Sequence, residues 1–420
     1  MAENKKVSRR FWKALGPGLI TGAADDDPSG IATYSQAGAQ FGYGLTWTVL
    51  LTLPLMAAIQ IISARIGWQT GHGLTRSIAR HMPRPVVVAL VALLVVANTT
   101  NIAADLAAMG QALTLVMKGP SVAYALLFGV ICLAAEIFIP YHRYAGFLKF
   151  LTVTLLVYVA VAFSVDVPWS KVLVATLLPT PTLDPDAMLM IVALLGTTIS
   201  PYLFFWQASQ EAEESRLSHR HEEATQPEAE DLSHISIDTW IGMAASSLVA
   251  FFIIVTTAAT LHANGVTEIN SAAEAAEALR PIAGDLTFLL FALGIIGTGL
   301  LAVPVLAGSA AYAVAEIFAL RGSLELPLRR ARGFYAVVGI ATLAGAALAA
   351  TGLDAMTMLF WAAVINGVVA VPIMLAMMLV VSAPQNGDRL ALPAWLRCLG
   401  WLASAAMALA LLASIWSYVA

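Results

Sequence analysis

Three consecutive carboxylates, Asp25-Asp26-Asp27, run into the helix-breaking Pro28-Ser29-Gly30 inside the first long apolar stretch of the chain, just after Gly16-Pro17-Gly18. A charge at bilayer depth costs at least ~2.5–3.5 kcal/mol on insertion scales, so acids placed there are functional candidates by default. Broken backbone is tolerated at that depth only where protein or a water-filled cavity receives it. Acids at a helix break therefore point to a cation pathway.

The rest of the composition agrees with a membrane setting. Hydrophobic residues make up 59% of the 420, charged residues only 11%, and mean hydropathy is +0.81. A soluble domain carries about 25% charged residues, so the chain reads as a polytopic membrane protein. The net charge of −4 says little about partners. Cys132 and Cys398 lie in or beside apolar runs and read as small hydrophobes rather than a disulfide. The first apolar run is interrupted by acids and no small-residue cleavage site follows, unlike a signal peptide. No polar stretch exceeds roughly 25–30 residues, too short for a soluble domain. Neither a nucleotide-phosphate loop nor a catalytic triad nor a zinc-protease motif occurs, so the sequence supports no enzymatic or nucleotide-driven role and no nucleic-acid partner.

Crossing a bilayer takes ~17–25 apolar residues in a helix. Eleven runs qualify, at 13–36, 44–64, 85–117, 121–139, 145–165, 187–210, 236–261, 284–319, 333–351, 355–382 and 395–418. Placing the N-terminus inside puts 19 Lys and Arg on inner segments and leaves Lys118, Lys171 and Arg280 outside. That asymmetry supports a cytoplasmic N-terminus, an outer C-terminus and a multi-pass protein of the plasma (inner) membrane.

The sixth run repeats the peculiarity of the first. It reads Gly196-Thr-Thr-Ile-Ser-Pro-Tyr202, with a proline and polar groups inside the apolar stretch. Two interrupted helices five spans apart point to an inverted-repeat transporter with its site between the breaks. The expected fold is all-α, with eleven transmembrane helices in a LeuT-type 5+5 inverted repeat and broken helices 1 and 6. It divides into a cytoplasmic tail (1–12), a first repeat (13–182), a second repeat (183–382) and a C-terminal loop with an eleventh helix (383–420). Two ordinary proline kinks are the bland alternative, weakened by three acids at one of them.

With these residues in place the chain resembles the Nramp family of divalent-metal transporters. The family's first helix reads GPG, eight residues, DPGN, then a QAGAQFGY-type segment. Here the frame is Gly16-Pro17-Gly18, Asp27-Pro28-Ser29-Gly30 and Gln36-Ala-Gly-Ala-Gln-Phe-Gly-Tyr43. Ala64-Arg65-Ile66-Gly67 with Thr70-Gly71, and Asp105-Leu-Ala-Ala108 against the family's DLAE, continue it. The sixth-helix frame GAxxMPHNLYLHS meets Gly196-Thr-Thr-Ile-Ser-Pro-Tyr-Leu-Phe-Phe-Trp-Gln-Ala208. By this resemblance the metal-binding aspartate is Asp27, and the carbonyls of Ala24 and Thr197 at the half-helix ends are the backbone ligands. The family's Asn falls on Gly30, its soft Met ligand on Ser200, and its two histidines on Tyr202 and Gln207. The third-helix Asp is kept as Asp105, a residual proton-path candidate, while the Glu one turn on is Ala108. Asn366 in the tenth span lies near a family glutamine position and is a further candidate ligand. The pattern resembles the Nramp-related magnesium transporters, a branch with exchanged metal ligands and no proton coupling.

Oxygen donors suit Mg²⁺, Ca²⁺ and Mn²⁺, whereas a thioether favours softer metals. Mg²⁺ dehydrates reluctantly and is held by one or two carboxylates while keeping waters. Ser200 and Gly30 are therefore expected to leave a roomy, oxygen-only site for a partly hydrated Mg²⁺. Successive helical residues diverge by about 100°, so three adjacent acids cannot share one focus. Asp25 and Asp26, with Tyr202 and Gln207, are expected in a vestibule or outer shell; pairing with a neighbouring helix is the alternative for the two acids. Glu136 and Glu316 are expected to find Arg143 or the Arg321–Arg332 cluster, and Glu211, Glu213 and Glu214 to line an inner exit or form a solvated helix end. No histidine falls in mid-membrane; His219, His221 and His234 belong to an acidic loop that reads as solvated.

The functional expectation is import of divalent cations, chiefly Mg²⁺ and also Mn²⁺, by alternating access without strict proton coupling. Membrane lipid and the transported cation are the expected partners, with no cofactor and no nucleotide. Two rivals are a proton-coupled Mn²⁺/Fe²⁺ importer and an organic-substrate symporter of the same fold. The latter would want exposed helix N-termini without an Asp cluster. A metal-sensing receptor would need a cytoplasmic output domain that no loop is long enough to supply.

Overall fold

The computed structural model describes residues 16–139, 153–179, 184–218, 229–324, 326–383, 390 and 392–419. Among them the chain is helical throughout. The helices that matter here are α1 (Pro17–Asp25), α2 (Pro28–Phe41), α3 (Thr46–Thr70), α4 (Leu74–Ala79), α5 (Arg84–Thr114), α6 (Ser121–Phe138), α7 (Leu156–Ser164) and α8 (Trp169–Leu177). They continue with α9 (Pro185–Thr198), α10 (Pro201–Ser218), α11 (Ala229–Thr260), α12 (Thr287–Ile317), α13 (Arg332–Ala349), α14 (Ala355–Ser382) and α15 (Ala394–Val419).

Nine helical stretches among the described residues are long and apolar enough to cross a membrane, or ten if α7 and α8, bent by 118°, form one span. The expected count was eleven. The fifth expected run (145–165) lies partly outside the described residues. The first half-helix, α1, is nine residues long, and ~13.5 Å of rise does not cross a bilayer alone.

Helix starts follow local chemistry. Asp27, Asp184 and Asp354 each precede a helix in extended backbone and accept an amide three residues on, from Gly30, Ala187 and Thr357. Pro28 and Pro185 then occupy the first helical position, where no amide hydrogen is needed. In hydrocarbon every backbone group needs a partner, so such caps are worth more than in water.

Small residues let the central helices touch. A side-chain carbon at Gly22 would stand 2.4 Å from the Gly242 carbonyl, which fixes the close crossing of α1 and α11. One at Gly196 would meet Gly367 and the Ala363 carbonyl, which does the same for α9 and α14. Close backbone packing replaces the missing hydrophobic drive between helices in lipid. α10 lies on α3, and α12 on α5, around the two interrupted helices. Buried polar side chains include Asp25, Asp26, Asp27, Ser29, Thr197 and Ser200 at those interruptions, while large apolar residues of α6, α8 and α15 face outward, as lipid contact requires.

Candidate functional site

The helical path stops at Asp26-Asp27 between α1 and α2, and again at Ile199-Ser200 between α9 and α10. Asp27 lies at the first interruption, 2% exposed. Its Oδ1 accepts the Ser29 hydroxyl and the Gly30 amide, each at 2.7 Å. Its Oδ2 accepts the Asn101 amide of α5 at 2.8 Å. The Tyr202 hydroxyl is 3.4 Å from the same oxygen but only 2.9 Å from the Ala24 carbonyl. A phenol carries one proton, so Tyr202 donates mainly to Ala24 and leaves one lone-pair position of Oδ2 open.

The second interruption is closed by its own side chain. Ser200 donates back to the carbonyls of Gly196 (2.9 Å) and Thr197 (2.8 Å) at the end of α9. The two carbonyls expected to bind a cation, Ala24 and Thr197, thus each hold a hydroxyl proton here. A cation reaching this point takes over oxygens already turned toward a positive partner. Oxygens are what the break offers: carboxylate, carbonyls and hydroxyls.

Gly30 does not open the room expected of it. A side-chain carbon there would stand 3.0 Å from Thr197 Oγ1 and 3.3 Å from the Tyr34 ring. The glycine admits α9 to α2 rather than leaving a void. Asn366 is buried on α14, and neither of its amide atoms has a hydrogen-bond partner among the described residues. Gln207 lies away from Asp27, donating to Thr239 of α11 at 2.8 Å.

Asp25 and Asp26 are both buried against α11, as in the helix-pairing alternative for the two acids. The Ser246 hydroxyl is 2.6 Å from Asp25 Oδ2 and 3.0 Å from Asp26 Oδ1. The same face of α11 carries Gly242 against Gly22 and, one turn earlier, Asp238, which accepts the Leu19 amide at 3.2 Å. Asp238, Gly242 and Ser246 follow one another at four-residue intervals, so one stripe of α11 holds the whole of α1. Nothing in the local sequence marks Ser246 or Asn101; the acidic Asp238 inside an apolar run was the one available signal.

Other expectations shift as well. Glu136 is buried on α6 with neither carboxylate oxygen partnered among the described residues, and Arg143 lies outside them, as do His142, His219 and His221. Glu316 accepts the Gly73 and Arg76 amides at 2.5 and 2.9 Å, where the Arg321–Arg332 cluster was expected to meet it. It thereby ties α4 to α12. Glu213 accepts Ser323, and Glu211 is buried rather than solvated. Asp105 is buried near the Ser29 amide without a hydrogen bond of standard geometry. Outside the spans, burial pushes the His72 imidazole below its ordinary pKa, and Arg76, Arg80 and Arg216 push it further.

A cavity of about 390 Å³ opens on the face bearing the C-terminal half of α2 and the starts of α9 and α14. Gln36, Asp186, Glu268, Asp354 and Trp361 line it, and Ala32 marks its deep end. Ala32 is five residues from Asp27, ~7.5 Å along the helix. Among the described residues no three His, Cys, Asp or Glu side chains converge as a metal cage. A site with so few anionic ligands suits an ion in transit more than a resident one.

The family described as natural resistance-associated macrophage protein-like (Nramp) matches residues 18–417. The divalent metal cation transporter MntH of Klebsiella pneumoniae (strain 342) is 28% identical over 409 residues, covering 95% of this chain and 93% of that protein. MntH of Yersinia pestis (strain Pestoides F) is 30% identical over 302 residues, 68% of each chain. Among solved structures, the Eremococcus coleocola manganese transporter, in complex with an aromatic bis-isothiourea substituted compound, superposes with a TM-score of 0.71 at 18% identity. It covers 95% of this chain and 86% of that one.

Proposed function

The chain belongs to the Nramp family, and on that premise we propose that it imports divalent cations, Mg²⁺ foremost and Mn²⁺ as well, by alternating access without strict proton coupling. The observation that carries this reading is the donor set around the open position of Asp27. Carboxylate, carbonyl and hydroxyl oxygens surround it, and Ser200 stands where the family pattern has a thioether. Hard oxygen donors favour Mg²⁺ and Mn²⁺ over softer metals. One carboxylate with few further anionic ligands matches an ion that keeps part of its water.

The same reading takes the protein as eleven spans in two inverted repeats, N-terminus cytoplasmic and C-terminus outside, in the plasma membrane. The cavity above Ala32 is then the outer approach, and the packing of α1 on α11 closes the inner one. The test is flux into proteoliposomes, comparing Mg²⁺, Mn²⁺ and Ca²⁺ with and without a pH gradient. Uptake of Mn²⁺ alone, driven by the gradient, would overturn the proposal.

A second reading, proton-coupled Mn²⁺ import, is favoured by the likeness to MntH proteins and by the retained Asp105. The absence of Ala108's usual carboxylate and of both sixth-helix histidines weighs against it.

A further inference from the structure

Asn101 has no part in the family frame quoted above, yet its side chain is fully buried and reaches Asp27 from α5, with Nδ2 2.8 Å from Oδ2. Its other amide atom is the puzzle. Oδ1 is buried and finds no hydrogen-bond partner among the described residues. A buried acceptor left open is destabilising. Turning the amide over gives no relief, because Oδ1 would then face an anionic oxygen. An unsatisfied acceptor therefore stands on the amide that holds Asp27.

The geometry restricts what can fill it. A cation on the open position of Oδ2 lies next to an amide whose N–H already touches that oxygen. Because Nδ2 is the end that faces Oδ2, Oδ1 is the other end of the same amide group and is set back from that oxygen. A water bound to the cation spans that gap and brings the donor that Oδ1 lacks.

We propose that Asn101 is a specificity-determining residue: Oδ1 accepts a hydrogen bond from a water retained by the cation at Asp27, while Nδ2 holds the carboxylate in place. The amide absent at Gly30 is thus supplied from another helix, and one shell further out. This rests on the hydrated-Mg²⁺ reading of the site. An ion that keeps its water gains from Oδ1, whereas one that sheds it more readily gains less.

The test measures Mg²⁺ and Mn²⁺ uptake by the purified full chain in proteoliposomes, for wild type, Asn101→Leu and Asn101→Asp. Outer-shell partners of a metal typically contribute about 10–100-fold in affinity. Asn101→Leu removes the acceptor and is expected to lower Mg²⁺ uptake at least about tenfold while Mn²⁺ uptake falls far less. Asn101→Asp keeps an acceptor for the water but loses the donor to Asp27. Its uptake of both ions falls, with the Mg²⁺ to Mn²⁺ ratio kept near that of wild type. Should the leucine variant not give monodisperse protein, Asn101→Val makes the same cut with a smaller side chain. An unchanged ratio in the apolar variant, or the same ratio change in the Asp variant, overturns the inference while Mg²⁺ import by wild type stands. A wild type that carries Mn²⁺ and no Mg²⁺ overturns the proposed function and this inference with it.

Discussion

The Tyr202 hydroxyl lies between the Ala24 carbonyl, at 2.9 Å, and Asp27 Oδ2, at 3.4 Å. These are two of the oxygens assigned to the transported cation. The phenolic proton goes mainly to Ala24 and only weakly to Oδ2, so a cation drawing on both oxygens competes with the hydroxyl. Tyr202→Phe removes the competitor at the cost of one net hydrogen bond, about 1 kcal/mol of stability. Apparent KM for divalent uptake is expected to fall several-fold, since about 1.4 kcal/mol corresponds to tenfold. Concentration-dependent uptake in proteoliposomes measures it. A KM that rises would make the phenol oxygen a ligand rather than a competitor.

Asp27 carries an open lone-pair position on Oδ2 at the break and is the aspartate that the family pattern assigns to the metal. Asp27→Ala is expected to abolish divalent uptake. Asp25→Asn and Asp26→Asn are expected to reduce it less, because both acids bond to Ser246 instead. Radiometric or dye-based flux, with size-exclusion profiles as the folding control, distinguishes these outcomes. Normal transport by a folded Asp27 variant would place the site elsewhere.

The helix assignment is interrupted at Asp26-Asp27 and Ile199-Ser200, where the sequence sets proline, serine and glycine beside acids or hydroxyls inside apolar runs. The helix cap at Asp27 follows from the same few residues. What stayed hidden acts across distance: Asn101 and Asp27 are 74 residues apart, and Asp238 meets Leu19 across 219. A buried asparagine or serine on a helix gives no local signal of what it faces, so pattern alone cannot separate a structural amide from one at a cation site. The same limit explains Gly30. In one dimension it reads as a missing ligand, in three as the contact that admits Thr197.

Selectivity should respond to Ser200. Ser200→Met places a thioether at the break and is expected to shift preference from Mg²⁺ toward Mn²⁺ and Cd²⁺. The double change with Gly30→Asn is expected to shift it further only if Thr197 is made smaller, because a Cβ at Gly30 would stand 3.0 Å from Thr197 Oγ1. Competition uptake with paired ions reads the ranking. An unchanged ranking in folded Ser200→Met would count against ligand softness as the selector.

The stripe Asp238, Gly242 and Ser246 makes α1 the element to move if the inner side opens. Asp238 caps α1 from another helix, and loss of such a cap costs about 0.5–2 kcal/mol. Asp238→Ala is expected to loosen α1 and expose its buried face. In a Cys398→Ser background, a cysteine at the buried Thr21 position should be alkylated several-fold faster when Asp238 is replaced. Equal rates would show that Gly22 against Gly242 alone holds the contact.

Transport should proceed without acidifying the vesicle lumen. Tyr202 and Gln207 stand where proton-carrying histidines would, and neither relays protons near neutral pH; Ala108 cannot at any pH. Outside the spans, His72 is held below its ordinary pKa by burial and then by three arginines, so near pH 7 it is neutral and offers no cationic proton to pass on. What remains is carboxylates, among them Asp105 beside the break and Glu136 on α6, both buried. A carboxylate alone can couple only if it changes protonation as the cation arrives, and Asp105 lacks the Glu one turn on that would hand the proton away. The measurement is a pH-sensitive dye sealed in proteoliposomes during Mg²⁺ or Mn²⁺ entry at clamped membrane potential. A dye response that tracks uptake and vanishes in Asp105→Asn would establish proton symport. One that vanishes in Glu136→Gln instead would route the proton through α6.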